Sequence, residues 1–393
     1  MRTQPRYMRM TSDLTGPQNE LRNRIAAFAR AHLAPGALAR AHDPSFPFDV
    51  ALQLADLGLL GLTIPKVDGG QGGDLMDAVI AIEEVAAACP RSADVVQSGN
   101  FGAARVLAEF GTEDQKERFL KPVLEGRSVI STAMSEPDAG SAVTALETSA
   151  VADDGGGWRI TGTKVWGNHS VEAAAFLVYV RFGEGTGNIG SVLVPRDAPG
   201  LTISEPGTFM SGEQWCRLDF RDCAVPARDV LLPAGGFKKQ MSGFNVERIG
   251  NTARSLAVGR HAFEVARAYA MTRKQFGRRL CEFQGIQWMF AEMAVKLAGA
   301  QLLLYKAARD ARGGLPSAAD TAIAKLACNA AGFEVADASM QVMGALGYSR
   351  DTLVEFCVRR CRGWMIAGGS TEMLKNKVAE AVFGERFSQR PDT

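Results

Sequence analysis

Three stretches of this chain hold residue types that can do chemistry. TAMSEPDAGS, from Thr132 to Ser141, sets Met134, Ser135, Gly140 and Ser141 around a Glu-Pro pair. Small residues let a backbone approach an anion, and N–H groups with hydroxyls satisfy its oxygens; read alone, the same letters also describe a turn. RKQFGRRLCEFQ places Arg273 eleven residues before Gln284, with Phe276 between them. A guanidinium suits a pyrophosphate because its planar fork presents paired donors, although a lone basic cluster is ordinarily just solvated. NVER ends on Glu247 and Arg248, where the carboxylate is either a base or half of a surface ion pair.

Other chemistries find little support. The four histidines (32, 42, 169 and 261) form no Ser/His/Asp or Cys/His arrangement, and no HExxH, GxSxG or Walker sequence is present. GGQGG at 69–73 lacks a following GK[ST] and reads as a flexible loop between helices. The seven cysteines (89, 216, 223, 281, 328, 357 and 361) include no CxxC pair. Cys357 and Cys361 can share a helical face, but two thiols make a poor metal site, so packing is expected and no metal.

Taken in order, these stretches resemble the acyl-CoA dehydrogenases. The resemblance implies that Met134, Ser135, Gly140 and Ser141 meet FAD, with Ser141 also close to the thioester. KVWGNHS from Lys164 looks like the family's K-x-W-I-T-N-G strand. It implies that Trp166 lies along the flavin and that Asn168 stands in for the hydroxyl residue at its N5, with Gly167 in place of Ile. Arg273, Phe276 and Gln284 then reach the FAD of a neighbouring subunit. QVMGALGY resembles another contact across subunits, through Gln341 and Gly344, with Ala345 replacing a glycine. Ser370 and Glu372 fall on the family's T-S-E, so the resemblance implies a homo-oligomer, a dimer or tetramer.

Removing an α proton of a thioester needs a carboxylate on the face opposite the flavin. Many members of the family place it in I-Y-E-G-T, but the matching stretch here is IAGGST, with Gly368 at that position. A subset resembling the isovaleryl- and long-chain enzymes draws the base from an E-R pair on the first bundle helix. That makes Glu247 the expected base, puts Arg248 beside the substrate and pairs Arg248 with Glu136. Asp94, which follows Arg91 near the acyl pocket of related sequences, is a further expected substrate contact; a surface helix start explains both charges equally well.

The expected reaction is FAD-dependent α,β-dehydrogenation of an acyl-CoA, with electrons passed to an electron-transfer flavoprotein. Rivals within the fold use a carrier-protein thioester, reduce an enoyl-CoA or eliminate a substituent without net oxidation. Relatives that eliminate sulfinate replace the helix base with a non-acidic residue, and Glu247 argues against that chemistry. A rival of another class is a helical scaffold that has kept the fold and lost the reaction.

The elements that must position these residues change period twice. Helical spacing runs from Gly16 to about Glu125, strand-like segments such as WRITGTKVW and AAFLVYVRF fill about Arg127 to Pro233, and helical spacing returns after Gly235. The expected class is α+β, with a helical domain (12–126), an antiparallel β-barrel (127–235) and a four-helix bundle (236–388). From Gln284, the residues Ile286, Met289, Met293, Leu297, Ala300 and Leu304 make the stripe of a bundle helix. A net charge of +1 over 393 residues offers no handle for nucleic acid or an anionic membrane. No run of about 20 apolar residues suits a bilayer. MRTQPRYMRM lacks the apolar core of a signal, and although its three arginines faintly resemble an organellar presequence, a frayed bacterial N-terminus and a cytoplasmic setting are expected.

Overall fold

The computed structural model describes residues 14–387 except Arg312, and at Ser242 the backbone alone. The decapeptide MRTQPRYMRM and the expected outer domain limits at 12 and 388 lie outside the described residues. Helix α1 (Gly16–Phe28) begins where Thr15 and Gln18 satisfy each other's backbone N–H groups. Helix α2 (Leu75–Ala88) starts in the same way on Asp74 and Asp77 and is buried on nearly every side. Two short helices follow, α3 (Ala93–Asn100) and α4 (Gly102–Phe110). The GGQGG loop spends its amides on itself: Gly70, Gln71, Gly72 and Gly73 donate to carbonyls of residues 61–65 at 2.8–3.1 Å.

The middle of the chain is one sheet of eight strands: β1 (Ile130–Ala133), β2 (Ser149–Ala152), β3 (Trp158–Lys164), β4 (Ala175–Arg181), β5 (Ile189–Pro195), β6 (Leu201–Ile203), β7 (Leu218–Val225) and β8 (Val230–Leu232). Their order is β8-β5-β4-β2-β3-β7-β6, with β1 beside β4. The expected antiparallel barrel is corrected on two counts. Among the described residues the path does not close, and β1 and β2 both pair with β4 in parallel. The chain reaches β4 from β1 only after the whole β2–β3 hairpin, and such a long crossover permits parallel pairing. The expected WRITGTKVW strand also ends early, at Lys164, because Trp166 takes φ +64° and leaves the pleat.

The third part holds α5 (Phe237–Thr272), α6 (Gln284–Arg309), α7 (Ala318–Met343), α8 (Val354–Trp364) and α9 (Thr371–Phe383). Four long helices were expected here; three are long, and the shorter α8 and α9 pack against α7. Helices α5 and α7 meet at glycine: a Cβ on Gly259 would stand 2.6 Å from the Gly332 backbone. On α6, Met293, Leu297, Ala300 and Leu304 of the expected stripe are buried and Ile286 and Met289 half-buried, while Trp288, Val295 and Leu302 stay exposed on another face. One apolar core runs through the first and third parts, joining α2 and α3 to α5, α6 and α7. Cys357 and Cys361 are packing residues within it.

Candidate active site

Backbone geometry brings the 132–141 segment and the end of β3 together. Val165 N–H donates to Ser135 O at 2.9 Å, and Lys164 Nζ donates to Met134 O at 3.1 Å and to Glu136 Oε1 at 2.7 Å. Glu136 also accepts from the N–H groups of Glu147 (2.6 Å) and Thr148 (2.9 Å). Burial works against this carboxylate, but Lys164 and those donors outweigh it and hold it below its ordinary range. Burial pushes Lys164 down to about 8 against the pull of Glu136. Glu136 is thus the partner of Lys164, and the expected pair with Arg248 is not formed.

Beyond that clamp lies an open face. Gly140, Ser141, Trp166 and Asn168 are exposed, and nothing stands within 4 Å of where a Cβ on Gly140 would be. Trp166 is 53% exposed and therefore no core residue; its ring lies 4.0 Å from Trp215 and 6.2 Å from Phe209. The departure at Gly167 has a local cause, since a Cβ there would meet Ser131 Oγ at 2.8 Å.

Glu247 is half-buried on α5, facing α3 and α4. Its Oε1 accepts from Asn251 Nδ2 at 3.2 Å, and Gly102, at the N-terminus of α4, is so close that a Cβ would stand 3.3 Å from Oε2. Gln97 Nε2 reaches the Glu247 carbonyl at 3.5 Å. Burial raises the affinity of Glu247 for a proton above that of an ordinary glutamate, while Arg254 and the surrounding donors oppose it.

Gly368 borders the same space. Its φ is +70°, and a Cβ would stand 2.9 Å from Asn251 Nδ2. The loop around it is held by two basic side chains, of which Lys325 is pushed down to about 7 by burial and by the nearby Arg248 charge. Lys325 Nζ donates to the carbonyls of Trp364 (3.0 Å), Ala367 (2.8 Å) and Gly369 (3.0 Å), and Arg248 Nε donates to Gly368 O at 3.0 Å. Position 368 therefore has no room for a side chain, and Arg248 is a staple for this loop.

Asp94 needs a correction. Neither it nor Arg91 starts a surface helix: they are 1% and 2% exposed. Asp94 accepts from Arg91 (2.9 Å), Arg254 (2.6 Å) and Arg360 (2.7 Å), and Glu213 pairs with Arg91 (2.6 Å) and Arg360. Burial opposes the Asp94 carboxylate, yet the three guanidiniums hold it well below the usual range. Both oxygens accept from guanidiniums and the side chain is buried, which makes Asp94 a member of this ion cluster.

The remaining expected residues stand elsewhere on the chain. Arg273 and Gln284 are exposed on either side of a hairpin, Lys274–Gln275 with Arg278–Arg279. Phe276 and Gly277 turn it with φ of 51° and 80°, the two left-handed residues of a tight hairpin loop, and Phe276 is 93% exposed. Gln341 and Gly344 are exposed at the end of α7, Ser370 caps α9, and Glu372 lies in its first turn. Among the described residues no hydrogen bond or ion pair joins these groups to the 132–141 segment or to Trp166. Sequence reasoning missed Gln97, Gly102, Asn251, Arg254 and Lys325; the one available signal was Asn251, a helical turn after Glu247.

Comparison with known proteins agrees over the whole chain. Family models described as acyl-CoA dehydrogenase N-terminal, middle and C-terminal domains match residues 15–127, 131–223 and 234–383. A 3-sulfinopropanoyl-CoA desulfinase from Paraburkholderia xenovorans is 33% identical over 386 residues, covering 96% of this chain and 99% of the relative. A short-chain-specific acyl-CoA dehydrogenase from Clostridium acetobutylicum is 31% identical, covering 95% and 100%. The structure of butyryl-CoA dehydrogenase from Megasphaera elsdenii superposes with a TM-score of 0.88 at 29% identity, covering 94% of this chain and 99% of that one. With its helical, sheet and helical parts in that order, this chain belongs to the acyl-CoA dehydrogenase family.

Proposed function

We propose that this protein is an FAD-dependent acyl-CoA dehydrogenase in which Glu247 takes the α proton of the thioester. One observation carries the assignment: Glu247 offers a half-buried carboxylate at the meeting of α3, α4 and α5, while the alternative position, Gly368, is filled by the Asn251 amide. The residues present suit the cofactor. Met134, Ser135, Gly140, Ser141, Trp166 and Asn168 form a face with an aromatic ring, hydroxyls, an amide and open space at Gly140. The exposed Arg273, Phe276, Gln284, Gln341, Gly344, Ser370 and Glu372 are available to the corresponding face of a second copy, which makes a homo-oligomer part of the reading.

When bound, FAD supplies the acceptor for the β hydride. Glu247 receives the α proton on its carboxylate, and the acyl-CoA leaves as the α,β-unsaturated thioester. Ser141 would stand on the side of the thioester, and Arg248 holds the 368 loop in place beside the base. Electrons then pass to an electron-transfer flavoprotein.

Anaerobic titration with a panel of acyl-CoAs tests this reading. Flavin absorbance should bleach in the natural protein, whereas Glu247→Gln should bind ligand yet reduce flavin at least about 10²-fold more slowly. Bleaching of the variant at the natural rate would remove Glu247 from the reaction. A second reading, elimination of an anionic substituent without net oxidation, is favoured by the likeness to a desulfinase. It predicts released leaving group with the flavin spectrum unchanged.

A further inference from the structure

Glu247, Asn251 and Arg254 are spaced four and three residues apart, which sets them on one face of α5. Arg254 Nη1 is anchored on Asp94 Oδ1 at 2.6 Å, and its Nη2 donates to Asn251 Oδ1. Its guanidinium also lies 5.2 Å from the Trp364 ring. A guanidinium can only donate, so the oxygen of the Asn251 amide must face Arg254 and its NH2 must face Glu247. Arg254 thereby fixes the orientation of the amide, and the group presented to Glu247 Oε1 is always a donor.

We propose that Asn251 and Arg254 are positioning residues for Glu247, a relay from the buried ion cluster that aims the carboxylate and keeps it ionised. This inference rests on the reading of Glu247 as the base. Charge balance supports it. The buried cluster holds three guanidiniums (Arg91, Arg254 and Arg360) against two carboxylates (Asp94 and Glu213), an excess of one positive charge. Glu247 is the next carboxylate, reached through a single amide.

The other groups around Glu247 do not duplicate the relay. The Gln97 NH2 of α3 reaches the Glu247 carbonyl and also favours the ionised carboxylate, but the Gln97 oxygen has no hydrogen-bond partner among the described residues to fix its amide as Arg254 fixes Asn251, and Asp94 on the same helix is already paired. The Gly102 N–H of α4 contributes a further, weaker donor. Arg248, the neighbour on α5, and Lys325 on α7 are tied to the carbonyls of the 364–369 loop. Burial, helped by the field of Glu247, keeps Tyr179 on β4 protonated, so it adds no charge.

The test is the pH dependence of flavin reduction by acyl-CoA, measured by stopped flow on the holoenzyme. Asn251→Leu keeps the shape and the Asp94–Arg254 ion pair, although Arg254 Nη2 loses its acceptor. It should move the midpoint of the acidic limb up by about one pH unit, with the affinity for a non-reducing acyl-CoA analogue changed no more than about twofold. Arg254→Met should move it the same way, and Arg254→Lys, which keeps a cationic donor, should return it toward the natural value. If Arg254→Met does not fold, Asn251→Leu decides alone. A natural midpoint with a rate lowered equally at every pH would overturn the relay. Glu247→Gln separates the two failures: a fast Glu247→Gln removes the base itself, whereas a dead Glu247→Gln beside an unshifted Asn251→Leu removes only this inference.

Discussion

Replacing Gly368 with alanine puts two separable strains on the site. The backbone there sits at φ +70°, a region that costs an L side chain about 1–2 kcal/mol. The new Cβ would also stand 2.9 Å from Asn251 Nδ2, so the amide must move. Moving it breaks the donor to Glu247 Oε1, a hydrogen bond to a charged group worth about 1.5 kcal/mol at the lower end of its range, because Gln97 and Gly102 remain as donors. The contact with Lys325 Cε, at 3.7 Å, is ordinary and adds nothing. The sum is a loss of about 3 kcal/mol of unfolding free energy. Urea unfolding of the holoenzyme reads that loss, and stopped-flow flavin reduction should slow most at low pH, where a glutamate deprived of its donor is protonated. An alanine variant as stable as the natural protein, with an unchanged pH profile, would refute the argument that Asn251 and a side chain at 368 compete for one space.

Gly167→Ile restores the family's residue against Ser131 Oγ at 2.8 Å and should cost about 1–3 kcal/mol; an unchanged urea midpoint would show that the strand end yields freely. Lys164→Met strands the Glu136 carboxylate and should cost about 3 kcal/mol, with flavin lost on gel filtration as the 132–141 segment loosens. The same pair sets an acid limb. Because the folded state lowers the affinity of Glu136 for a proton, its contribution is complete above the unfolded value of 4.5 and is lost as pH falls through the lower folded value. The difference in stability between Lys164→Met and the natural protein should therefore narrow on acidification, and a constant difference would count against the pairing. Phe276→Ala, at a 93% exposed site, should leave stability within about 0.5 kcal/mol but lower both the mass in sedimentation at dilute concentration and the bound flavin. Unchanged mass and flavin content would free Phe276 of any contact with a second copy.

Periodicity along the chain was enough to separate helical, strand and helical thirds, and the stripe on α6 is buried from Met293 onward. Closure of the sheet was not legible, because alternation tells which face of a strand is buried and nothing about which neighbour it pairs with. The SEPDAGS and KVW stretches were found by residue type, and their meeting through Val165 and Ser135 is a backbone contact that no residue type announces. Arg248 and Asp94 show the opposite failure. Both were read by their charge, and the structure spends that charge on Gly368 O and on three guanidiniums. Asn251 escaped notice because an amide has no charge and draws its role from what lies on either side of it.

The buried ion cluster also constrains how the molecule can move. Arg91 and Asp94 belong to the first third of the chain, Glu213 to the second, and Arg254 and Arg360 to the last. Swinging any third outward would drag a charge from its partners through a medium with no water to receive it, at a cost of several kcal/mol. Hinged breathing between the thirds is thereby suppressed. Chimeras meet the same rule: a middle third borrowed from a sequence without an acid at 213 would leave three guanidiniums gathered on the single carboxylate of Asp94.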